Sequence, residues 1–192
     1  PWTQFFELGR LNSFPYPPIM LYIMAVPRWL FGPILSGGTD TGTVGHLLVM
    51  RLPLLVADLS IALALVRWFP NRVQRILFLY WASPFVIYVS YWHGQLDIIP
   101  TALFVWCLYL LRLRHFGLGM VAFAIGVATK SHLLIALPFL LVYIHQERGL
   151  VATTRTAIVG SIVYALALLP FLPDPAFREM VYRTEEQYRL FA

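Results

Sequence analysis

Between residues 46 and 172 the chain is a succession of apolar runs, 46–66, 76–91, 98–111, 116–129, 133–144 and 156–172, parted by short polar breaks. Runs of this kind read as spanning helices bundled together. A spanning helix needs roughly 17–25 apolar residues, and several of these fall short. Short helices still cross where the bilayer thins or where their ends sit in a water-filled cavity. The chain is 59% hydrophobic and 12% charged, whereas soluble domains are about half apolar and a quarter charged. With a mean hydropathy of +0.72, the expected fold is an all-α integral membrane protein of about six transmembrane helices.

Basic residues set the expected orientation. Arg67, Arg72 and Arg75 follow the first run, Arg112 and Arg114 the third, and Arg148 and Arg155 the fifth. These are alternate loops, cytoplasmic by the positive-inside rule. Residues 36–46, 93–97, 130–132 and the tail from Pro173 then share the opposite face. An earlier apolar run, 16–35, is interrupted by Pro17, Pro18, Pro27, Arg28 and Pro33 and carries Tyr22, Trp29 and Phe31. It reads as a juxtamembrane interfacial helix, the alternative being a kinked spanning helix. The organisation is then an external loop with that helix over 1–45, a bundle over 46–172, and an external amphipathic segment over 173–192. The chain starts at Pro1 without an initiator methionine, a basic n-region or a cleavage motif, and is read as part of a longer protein. Cys107, the single cysteine, lies in an apolar run and reads as a small core residue.

The polar residues inside this apolar frame need reasons. Arg51 and Asp58 lie seven residues apart in the first run, about two helical turns, and so share a face. Asp58, near mid-membrane, reads as a partner for a neighbouring helix; Arg51, about one turn from the outer end, reads either as a phosphate contact or as a structural charge. Tyr91-Trp92-His93-Gly94-Gln95-Leu96-Asp97 and Lys130-Ser131-His132 form two polar breaks on the outer face. Lys130 with His132 beside it suits an anionic ligand, and Gln95 and Asp97 beside His93 suggest the rim of a site. No His-x-x-x-His, paired acid motif or cysteine set points to a metal. Walker, Gly-x-Gly-x-x-Gly and Gly-x-Ser-x-Gly motifs are also absent from the sequence. Soluble nucleotide chemistry and nucleic-acid binding are therefore not expected.

Four pieces occur in order: Trp2 with Phe14-Pro15-Tyr16-Pro17-Pro18 before an apolar run; Arg51 to Asp58 in a span; Trp92-His93-Gly94-Gln95-Leu96-Asp97; and Ala128-Thr129-Lys130 leading to Leu137-Pro138. This order resembles the GT-C superfamily of multispanning glycosyltransferases. It is most similar to bacterial members related to the GPI mannosyltransferase II family, and more distantly to endoplasmic-reticulum glucosyltransferases of N-glycan assembly. The third piece departs from the family's usual "W-G-Q-x-D" by the intervening His93. The resemblance implies transfer of a hexose, of mannose or glucose type, from a polyprenyl-phosphate sugar to a glycan, lipid or protein acceptor outside a bacterial or archaeal cytoplasmic membrane. It places Lys130, Arg51, His93 and His132 at the donor phosphate and Gln95, Asp97 and Tyr16 at the substrate. The general base is expected upstream of Pro1. No cofactor is expected, with a divalent ion as an option if Asp97 and that acid share one. The apolar bundle is expected to hold the isoprenoid tail, and the segment from Pro173 to form a lid. The other readings are a non-catalytic GT-C-like scaffold subunit and a membrane transporter or flippase, in which Asp58 and Arg51 line a polar path.

Overall fold

The computed structural model describes residues 2–9, 14–35 and 44–182, and every regular element among them is helical. The elements are α1 (Trp2–Glu7), α2 (Pro18–Leu35), α3 (Val44–Trp68), α4 (Pro70–Trp81), α5 (Pro84–Trp92), α6 (Ile98–Arg112), α7 (Phe116–Val127), α8 (Leu137–Leu168) and α9 (Pro175–Tyr182). A short 3-10 turn, Ser131–Ala136, leads into α8.

The expected second span, 76–91, is broken. α4 and α5 meet at a 48° bend. Pro84 has no N–H to continue the helix, and its ring drives Ser83 into an extended conformation (φ −63, ψ 123). Both arms end in wide π-helical turns, Leu77–Trp81 and Tyr88–Trp92. α2, by contrast, is one helix through Pro27 and Pro33, and it packs Met20 against a core built on Leu54, Ala57 and Ile61 of α3 and Ile99 and Ala102 of α6.

The expected fifth and sixth spans, 133–144 and 156–172, fall on the two arms of α8, and the connection between them is shorter than the expected loop, with helix up to Gly149 on both sides. Gly149 alone turns the chain, at φ 78 and ψ 178, a region open essentially to glycine. Leu141 and Gly160 would stand about 28 Å apart on one straight helix. Instead both line one cavity of about 100 Å³ with Met120 and Phe123 of α7, so the arms fold back on either side of α7. The main core joins Cys107 and Leu111 of α6, Phe123 and Val127 of α7, and Leu140 and Ile144 of α8. Cys107 is the small buried residue the sequence suggested.

Among the described residues two stretches are long and apolar enough to cross a membrane, Leu47–Trp68 and Ser131–Leu168, and the bent pair α4–α5 makes a third if it is one span. The outward faces agree. Phe78, Phe139 and Val151 are 77%, 73% and 85% exposed, a surface that suits lipid and not water. The protein is an all-helical, membrane-associated one.

α9 caps one end of the bundle. Asp174 receives the Ala176 N–H at 2.9 Å and the Thr3 hydroxyl at 3.1 Å, which fixes the start of α9 and ties it to α1. Its apolar face, Ala176, Phe177, Met180 and Val181, closes over Trp2 and Leu168. The expected amphipathic segment is thus a helix as far as Tyr182; Arg183, Glu185 and Glu186 lie outside the described residues. The Tyr182 hydroxyl is pushed well above the ordinary range, first by burial and then by its contact with Tyr164 at 3.4 Å.

Candidate functional site: a paired lysine at the end of the bundle

Three short connections meet at the capped end. The first follows α5, where Gly94 adopts φ 74. A side chain there would be strained in itself, and its Cβ would stand 3.9 Å from a guanidinium nitrogen of Arg51. Arg51 therefore lies against this loop. Asp97 then opens α6, whose first turn is fixed by Thr101, its N–H and hydroxyl both donating to the Asp97 carbonyl. The Asp97 carboxylate makes no capping bond, so it is free to reach sideways.

The second connection follows α7. Thr129 is buried and donates to the Gly126 carbonyl at 2.6 Å, closing the helix. Lys130 is then fully extended (φ −156, ψ 116), which throws its side chain out of the helix line. Its ammonium ion-pairs with Asp97 and lies 5.9 Å from the centre of the Tyr16 ring. Tyr16 arrives on the third connection, before α2. It is held by Phe14, edge to face at 5.3 Å, which in turn contacts Trp2 of the cap at 6.2 Å. An aromatic chain thus links the α1–α9 cap to the lysine.

Of the seven residues the sequence nominated, Tyr16, Asp97 and Lys130 are in contact and Arg51 stands at the same loop. Lys130 and Asp97 had been given separate tasks, phosphate and hydroxyl binding; the structure couples them as a pair. Arg51 is half-buried and has no ion-pair or hydrogen-bond partner among the described residues. His132 lies in the 3-10 turn that leads into α8, two residues after Lys130. His93 and Gln95 are exposed, and neither side chain touches the others; their main chains close the π turn, onto Tyr88 and Val89.

Asp58 is the buried partner residue expected. It is fully buried and accepts hydrogen bonds from the hydroxyls of Tyr80 at 2.7 Å and Tyr91 at 2.6 Å. One carboxylate thereby pins both arms of the bent α4–α5 pair to α3. In the sequence Tyr91 reads only as the start of the polar break, and Tyr80 carries no reading of its own. They lie eleven residues apart, nearly three whole turns and so on one helical face, which was the signal available.

An apolar groove of about 730 Å³ lies between α2, α3 and α6. It is walled by Leu52 and Pro53, which follow Arg51, by Ile99, which follows Asp97, and by Tyr22 and Phe31 of α2, and reaches Trp106. No group of three or more His, Cys, Asp or Glu among the described residues could hold a metal ion. Compared with protein-family models, curated proteins and solved structures, the chain matches none.

Proposed function

We propose that the protein is a GT-C-type membrane glycosyltransferase that moves a hexose from a polyprenyl-phosphate sugar to an acceptor hydroxyl on the extracytoplasmic side. In this reading the six helical bodies α3, α4–α5, α6, α7 and the two arms of α8 are the transmembrane bundle and α2 is the juxtamembrane helix. The observation that carries it is the pairing of Lys130 with Asp97 against Tyr16, with Arg51 at the neighbouring Gly94 loop and an apolar groove walled by residues next to Arg51 and Asp97 in the chain. A lipid-linked phosphate has these two parts, an anionic head and a hydrocarbon tail.

The acceptor oxygen forms a bond to the anomeric carbon as the bond from that carbon to phosphate oxygen breaks. Its electron pair leaves with the polyprenyl phosphate, and the acceptor proton passes to a general base. Charge builds on the departing phosphate, so fixed cations there lower the barrier. Arg51 supplies a planar donor fork with no paired anion among the described residues, and Lys130 retains two further N–H donors after its bond to Asp97. The second reading, a scaffold subunit of similar fold, is favoured by one fact: Lys130 is already neutralised by Asp97.

The test is sugar transfer by the full-length protein in liposomes supplied with a panel of polyprenyl-phosphate hexoses. Arg51→Ala and Lys130→Ala should each lower turnover by about 10²–10³, the usual cost of one lost transition-state donor, with thermal unfolding close to wild type. Consumption of no donor by wild type, with the variants losing only partner capture, would replace the enzyme by the scaffold.

A further inference from the structure

The opposite end of the bundle holds a further cavity, of about 520 Å³ and partly polar, between the α6–α7 turn and the Gly149 turn. It is lined by Arg114, His115, Arg148, Arg155 and the first residues of α7. We propose that this cavity binds the phosphate of an anionic phospholipid headgroup in the leaflet away from the Lys130–Asp97 pair. The proposal stands apart from the transferase reading.

Loop arginines that only set orientation need no fixed arrangement, since the positive-inside effect counts charges and not their geometry. These are arranged. Arg114 adopts φ 63, and among the described residues it is the non-glycine with positive φ. That turn brings its guanidinium to Glu147 of α8, at 2.8 Å, joining the two turns that wall the cavity. Arg148 lies over the Phe116 ring at 5.4 Å, which restrains it at the opening. Arg155 is exposed and has no ion-pair or hydrogen-bond partner among the described residues. Three arginines face one glutamate, so two positive charges remain in a concave site.

The cavity also has directed donors. Phe116, Gly117 and Leu118 open the 12-residue α7 and line the wall. Their N–H groups have no acceptor within the helix, the arrangement that suits a phosphate oxygen. Around the cations the surface is apolar. Leu118, Leu150 and Val151 are 59%, 69% and 85% exposed. A free phosphate would use the polar half alone, whereas a phospholipid offers a phosphate to the arginines and acyl chains to this rim. Basic pockets between helix ends are a recognised form of headgroup site.

The experiment measures binding of phosphatidylglycerol and phosphatidylcholine to the purified full-length protein by native mass spectrometry of the folded species. Thermal unfolding in mixed micelles is followed in parallel. Arg155→Gln is the main variant, because an exposed side chain without partners can be changed without disturbing the fold; Arg148→Gln is the second. Arg72→Gln with Arg75→Gln removes charge from another basic loop as a control. Phosphatidylglycerol should bind and raise the unfolding temperature where phosphatidylcholine does not. Each pocket variant should weaken its binding about fivefold, the effect of one basic residue near an anionic surface, while the control stays near wild type. Equal losses in pocket and control variants overturn the proposal, as does binding unchanged in Arg155→Gln. A thermal shift reproduced by inorganic phosphate alone overturns the assignment to lipid.

Discussion

Asp58 should be the residue whose loss most loosens the bundle relative to its size. Its carboxylate takes two hydroxyl hydrogen bonds, at 2.7 and 2.6 Å, from two arms of one bent helix pair. Interhelical hydrogen bonds in membrane proteins average about 0.6 kcal/mol and reach about 1.7. Short bonds to a fully buried acceptor belong in the upper part of that range. Asp58→Ala, which orphans both tyrosines, is therefore expected to cost about 2–3 kcal/mol. Asp58→Asn keeps one acceptor oxygen and turns the other position into a donor, so it should cost about half as much, on the same per-bond scale. Tyr80→Phe and Tyr91→Phe should each cost about 1 kcal/mol by that measure. The assay is unfolding in mixed micelles titrated with a denaturing detergent, read by the fluorescence of the six tryptophans. The decisive arm is the cycle: in the Asp58→Ala background, both Tyr→Phe changes should become nearly neutral. If they cost as much there as in wild type, Asp58 is not the acceptor that holds the two arms, and the reasoning fails.

Two glycines give sharper structural tests. A Cβ at Gly119 would stand 2.9 Å from Leu111 Cδ2 and 3.3 Å from the Cys107 carbonyl oxygen. Gly119→Ala should thus force α6 and α7 apart and lower stability by about 1–3 kcal/mol in the same detergent titration; an unchanged midpoint would mean the two helices are less closely packed. At Gly149 a Cβ would meet nothing within 4 Å, so any penalty is one of backbone conformation alone. Gly149→Ala should cost about 1–3 kcal/mol. Cross-linking of cysteines placed at 141 and 160 should become slower, and an unaffected rate would argue against the fold-back.

How much of this was legible depended on whether the cause was local. Apolar runs, alternate basic loops and proline positions are written in order along the chain, and they gave the helical bundle and most helix ends. Asp97 and Lys130 were visible because polar groups between apolar runs are costly. Their pairing was not, because it joins the start of α6 to the end of α7, 33 residues apart in the chain. The bend at Pro84 had a local signal, but the 76–91 run is apolar on both sides of it, and hydropathy does not register a change of direction. At Gly149 the expected break is present but narrower than the charges suggest. Charged residues from Glu147 to Arg155 looked like a loop, while a single glycine in a left-handed conformation was enough to turn the chain with helix on both sides.

Helix lengths explain why an ion pair sits where it does. Arg112, at the end of α6, lies over Trp68 at 5.5 Å and donates to the Trp68 carbonyl at 3.5 Å, so α3 and α6 finish level with each other. α3 has 25 residues and α6 only 15. At helical rise α3 therefore extends about 15 Å beyond the start of α6. Asp97 sits at that recessed start, and Lys130 follows α7, which is shorter still at 12 residues. Arg51, about 10 Å below the first residue of α3 at the same rise, comes down close to the level of Gly94, where its guanidinium is found. The recess is thus a product of two short helices beside a long one, and it draws three charged groups below the rim of the bundle. Charges at such depth need partners or water. Lys130 and Asp97 provide for each other, with Tyr16 against the ammonium, whereas Arg51 has no hydrogen-bond or ion-pair partner among the described residues. Arg51 is therefore the group best placed to receive an anion that enters along the groove, and the Lys130–Asp97 pair the one best placed to adjust when it does.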